Sequence, residues 1–164
     1  MTNKEKEEIR KKVIEVYDQE EAVNAELAIR RLYYKWIISF DTDFKCLSDI
    51  IETNSLKKEY ESLSEKFIDD PCFLFFIGYI LDVEPWTLIT NYEDDMDAFD
   101  VMGYQYMMKA NKLNDKVNIY KWGATTNPNE KQYLASKILL EPNQFPLNDK
   151  IMGKYFERIF RSQI

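Results

Sequence analysis

The apolar positions of this chain recur at helical spacing almost from its start. Ile9, Val13, Val16 and Tyr17 stand in a Lys/Glu-rich background and predict an amphipathic helix over residues 4–18. Over residues 20–40, Val23, Leu27, Leu32, Tyr33, Trp36, Ile37 and Phe40 trace a second, broader stripe, with Arg30, Arg31 and Lys35 on other faces. Asp41-Thr-Asp43 ends that helix and can cap a short one carrying Phe44, Leu47, Ile50 and Ile51. Ser55 and the spacing of Leu56, Tyr60, Leu63 and Phe67 predict the next.

Asp70-Pro71 is the clearest helix start. A carboxylate at the N-cap accepts orphan amide bonds, and proline suits the first helical position. The almost wholly apolar run 72–81 that follows predicts a central core helix, in which Gly78 permits close approach of a neighbour. Glu84-Pro85-Trp86 begins a short turn or helix. Met96, Phe99, Met102, Tyr106, Met107 and Ala110 hold helical spacing across a helix predicted over 93–113, with acids at its dipole-positive end. Residues 118–122 form a short aromatic segment, and 123–129 give the strongest loop signal. Helices over 130–140 and 147–161 complete the chain. No segment shows the alternation of a sheet, so the expected fold is all-α: one domain, 1–164, of about seven to nine helices, packed as a bundle or as repeat-like helical hairpins.

Length and composition agree with that reading. The 164 residues suffice for one core, and 45% hydrophobic with 15% aromatic residues lies far from a disordered composition. The first residues lack the apolar core of a secretory signal, and the longest apolar run falls well short of the roughly 20 residues that span a bilayer. The expectation is a cytoplasmic protein that does not enter the membrane. In that setting Cys46 and Cys72, which lack any metal or redox spacing, are expected to stay reduced.

Charge adds what periodicity does not show. The net charge is −7, which argues against nucleic-acid binding through phosphate neutralisation. Residues 1–66 carry 15 acids and 12 bases, residues 101–164 carry 5 and 10, and residues 67–100 carry 9 acids and no base. That middle segment should create a local negative field able to steer a basic partner, although charge runs also occur as plain solvated surface.

Chemistry of the usual kinds is poorly provided for. The chain has no histidine, and its four glycines form no phosphate loop. The carboxylates of 93–100 put Glu93, Asp97 and Asp100 on one helical face, but they lack the alternating ligands of a calcium loop and the Glu-x-x-His of a di-metal helix site. The expectation is a binding protein, not an enzyme, with no metal and no cofactor. Trp86, Tyr92, Phe99, Tyr104, Tyr106, Tyr120 and Trp122 lie near those acids in sequence, and Tyr and Trp make good interface anchors as well as core.

The stretch Asp69-Asp-Pro-Cys-Phe-Leu-Phe-Phe-Ile-Gly-Tyr-Ile-Leu-Asp-Val-Glu-Pro-Trp86, the helix at 102–110 and Asn118-Ile-Tyr-Lys-Trp122 resemble helical immunity proteins of bacterial contact-dependent growth-inhibition systems. The resemblance covers about a third of the chain. It implies a cytosolic protein that binds the cognate toxin domain of a surface-delivered effector and blocks it. Many such toxins are nucleases, whose substrate-binding face must be basic and would suit an acidic surface. On this reading Asp82, Glu84, Glu93, Asp94, Asp97 and Asp100 are electrostatic contacts, with Trp86, Tyr92 and Tyr104 as anchors. The alternative is a tetratricopeptide-like helical adaptor that holds a peptide or protein in a concave groove, although no 34-residue period is present.

Overall fold

A computed structural model describes residues 3–17, 22–40, 53–88 and 96–164. It is all-helical, with eight α-helices and no strand among the described residues: α1 (Asn3–Tyr17), α2 (Ala25–Phe40), α3 (Thr53–Phe67), α4 (Pro71–Val83), α5 (Met96–Leu113), α6 (Asn118–Ala124), α7 (Pro128–Leu139) and α8 (Met152–Arg161). A 3-10 turn, Pro85–Thr87, follows α4. Residues 41–52, which contain the short helix expected around Phe44 and Ile50, lie outside the described residues.

The start of α4 is formed as the sequence predicts. Asp70 Oδ1 accepts from the amides of Cys72 (2.9 Å) and Phe73 (3.0 Å), with Pro71 in the first turn. Such a cap contributes about 1 kcal/mol. Every residue from Phe73 to Leu81 is buried, because α4 is covered by α2, α5, α6 and α8. Its closest neighbour is α5, which runs antiparallel to it. A Cβ added at Gly78 would lie 2.7 Å from the Gly103 carbonyl oxygen, and one at Gly103 would lie 2.7 Å from both the Asp82 amide nitrogen and the Gly78 carbonyl oxygen. Two glycines facing each other let the backbones nearly touch. At the far end of this hairpin, Lys109 Nζ reaches the Ile68 carbonyl and Asp69 (3.1 Å).

The last helix closes the bundle. Phe156 and Phe160 of α8 are fully buried, with Phe156 packed on Tyr79 (5.0 Å between ring centres) and Phe160 edge-on to Trp122 (5.1 Å). Tyr155 packs on Trp36 and Tyr33 of α2 and shares a 2.9 Å hydrogen bond with the Tyr79 hydroxyl. Arg30 to Asp149 (3.0 Å) and Lys150 to Glu8 tie the segment before α8 back to α2 and α1.

Several boundaries differ from the periodicity. Helix α2 begins at Ala25 because Asn24 Oδ1 accepts from the Leu27 amide (2.9 Å), which leaves Val23 outside the helix and exposed. The expected loop at 123–129 is mostly helical: α6 runs on to Ala124, and Asn127 caps α7 at Pro128, repeating the logic of Asp70-Pro71. Residues 147–151 are turns, and the amides of Ile151 and Met152 both bond Asp149 Oδ1. Lys35 falls off the apolar stripe by spacing, where a charge would ordinarily meet solvent. It is 7% exposed instead, and with Arg31 it pairs with Glu59 of α3.

Cys72 is a free thiol. Burial pushes its pKa up to about 12, against the lowering influence of its hydrogen bond with Tyr120. An unfolded thiol ionises near about 8.5. The protonated native thiol therefore contributes fully below that value, and the contribution is lost as pH rises towards 12. We expect urea midpoints to fall between pH 8.5 and 10, with a shallower fall in Cys72→Ala, by at most about 1.4 kcal/mol per pH unit. The glycine contact gives a second expectation. Gly103→Ala should lose a net 1–2 kcal/mol, roughly, because overpacking against backbone outweighs the propensity gain. Thermal unfolding should show this as a drop of about 2–4 °C per kcal/mol.

Candidate functional site

Burying α4 on all sides leaves no place for a charge along it. The acids of the 67–100 segment that belong to it therefore gather at its two ends. At its start, Asp70 is committed to the N-cap and Asp69 to Lys109. At its end stand Asp82, Val83 and Glu84, then the turn with Trp86, which packs against α5. The result is a corner where α4, the turn and the beginning of α5 meet.

Exposed apolar side chains surround this corner. Trp86 is 56% exposed, Val83 40% and Val101 49%, while Met108 (42%) lies further along α5, beside Lys109 at the far end of the hairpin. On α5, positions 97, 101, 104, 105, 108 and 112 share one face by helical spacing, opposite Gly103, Met107 and Ala110, which are buried. By position that face starts at residue 97 and carries the exposed Val101, Met108 and Lys112. Val101, Met108 and Val83 were not singled out from the sequence, although the i, i+7 spacing of Val101 and Met108 opposite the buried stripe was available as a signal.

The predicted site residues fall into three groups. Asp82 and Trp86 stand exposed at the corner, and positions 97 and 100 lie in the first turns of α5 beside it. Tyr92, Glu93 and Asp94 lie outside the described residues. Glu84 and Tyr104 are half-buried and serve internal contacts. Glu84 Oε2 accepts from the Trp36 indole N–H (2.8 Å), its backbone amide caps the Ile80 carbonyl (2.7 Å), and its carbonyl accepts from the Thr87 hydroxyl (2.8 Å). The Tyr104 hydroxyl donates to the Ala124 carbonyl (3.0 Å) and holds α5 against α6. Of the aromatic residues near the acids in sequence, Tyr120 and Trp122 are buried in the core.

The corner's described polar groups are carboxylates and an indole, suited to accepting hydrogen bonds and attracting cations. Among the described residues no group of three or more Asp, Glu, Cys or His side chains could hold a metal ion, and no helix is long and apolar enough to cross a membrane. Comparison with known protein families, curated proteins and solved structures returns no match.

Glu84 also carries part of the fold. Glu84→Ala orphans a half-buried indole donor and should cost about 1–3 kcal/mol in urea unfolding, whereas Glu84→Gln keeps an acceptor and should lose less than half as much.

Proposed function

We propose that this chain is an immunity protein that binds and neutralises a cognate bacterial toxin domain of the nuclease class, presenting the α4–α5 corner to the toxin's basic face. The observation that carries the reading is the corner itself. An exposed tryptophan, two further exposed apolar side chains, Val83 and Val101, and the base-free end of the acidic segment occur together. Apolar anchors ringed by one sign of charge provide burial and orientation at once. The sequence resemblance to contact-dependent immunity proteins supplies the class of partner.

The packing of α8 favours this reading over an open helical adaptor. Consecutive helices do stack pairwise, as in a hairpin array. In such an array the concave side must stay open to receive a peptide. Here Tyr155, Phe156 and Phe160 fill the space between α2, α4 and α6 with side chains. Recognition is then assigned to an outer surface.

The test uses the toxin domain encoded next to this chain's gene as the probe. Reversing Glu93, Asp94 and Asp97 to Lys should weaken binding about a hundredfold, mainly through slower association, and abolish protection of toxin-expressing cells. The helical circular-dichroism signal should not change. Trp86→Ala should weaken binding by about 1–3 kcal/mol, mainly through faster dissociation. Full protection by the triple variant would remove the acidic segment from the mechanism.

A further inference from the structure

A second surface lies away from that corner, where α1, α2 and α8 meet. Glu8, Ile9, Tyr33, Ile37, Ile151, Lys154, Tyr155 and Arg158 enclose a half-open cavity of about 130 Å³. Its floor is apolar, formed by the isoleucines and the tyrosine rings. Its charged groups are unequal in sign. Glu8 is engaged by Lys150, which lowers its pKa, while Lys154 and Arg158 are exposed and form no ion pair among the described residues. The mouth is therefore cationic in an otherwise acidic protein. The hydroxyl of Tyr33, one of the lining residues, is buried and has no hydrogen-bond partner among the described residues. Native interiors rarely leave such a donor unsatisfied.

We infer that this cavity binds a small organic monocarboxylate with an apolar body of about six carbons. The size argument is direct, since a dry cavity of about 150 Å³ lined by aliphatic and aromatic side chains takes up a benzene ring. Lys154 and Arg158 supply the charge complement for a carboxylate, and arginine can hold one through two parallel hydrogen bonds. A cationic ligand of the same shape would meet two like charges at the mouth and is rejected.

Isothermal titration of the full chain tests this with benzoate, benzylammonium and acetate at matched ionic strength. Benzoate should bind saturably with one site per chain. Acetate, which has the charge without the ring, and benzylammonium, which has the ring with the opposite charge, should each bind at least tenfold more weakly. The double variant Lys154→Gln, Arg158→Gln changes only exposed side chains and should keep its circular dichroism and melting temperature while losing at least tenfold in benzoate affinity. Absence of saturable benzoate binding, equal binding of benzylammonium, or unchanged affinity in the folded double variant would each overturn the assignment.

Discussion

The backbone contact between α4 and α5 at Gly78 and Gly103 sets the geometry on which the rest of the molecule depends. A helix as apolar as 72–81 has no face it can leave to water, so it requires neighbours all round, and the nearest of them must approach without side chains between the axes. Once α5 is held that close, its buried stripe is fixed as Gly103, Met107 and Ala110. Its opposite face must then point outward, carrying Val101 and Met108 with it. The same crossing places the turn containing Trp86 against the beginning of α5.

Burial also explains where the charges are. Desolvating an unpaired carboxylate costs far more than any single contact in this fold returns, so the acids adjoining α4 occur only at its ends, where they accept hydrogen bonds or meet solvent. Asp69, Asp70 and Glu84 have local structural partners: a lysine across the hairpin, two backbone amides and an indole. The acidic segment therefore divides by structural role. Its ends around α4 hold the fold, and the recognition role proposed above rests on Asp82 and the carboxylates of 93–100.

Much of this was legible because the deciding physics is local. Asp70-Pro71 specifies a helix start from two adjacent residues, and the unbroken run after it specifies a core helix. Gly78 could be read as a close-approach point, but Gly103 could not be named as its partner, because nothing within one helix identifies the residue facing it in another. The misread positions have the same origin. Asn24 and Asn127 caps compete with apolar periodicity at the helix starts, and proline after Asn127 reads as a loop until it is seen at a first turn. Lys35 and Glu84 are drawn inward by partners 24 and 48 residues away, Glu59 and Trp36, and such pairings leave no trace in spacing. The corner was legible as composition, an acidic segment free of bases, and not as a shape.

The two surfaces are joined by a continuous path of contacts. Tyr155 borders the cavity and packs edge-on to Trp36 at 5.7 Å, and the Trp36 indole bonds Glu84 at the base of the corner. Contiguity of this kind is not coupling, which requires an element with two arrangements that both sites bias. Each ring on the path is held by a hydrogen bond, Tyr155 to Tyr79 and Trp36 to Glu84, and the Trp36 ring is buried in the core. Moving either ring would break a hydrogen bond and open a void, and close-packed interiors resist both. The path therefore acts as a rigid support. It carries the corner and the cavity on one scaffold.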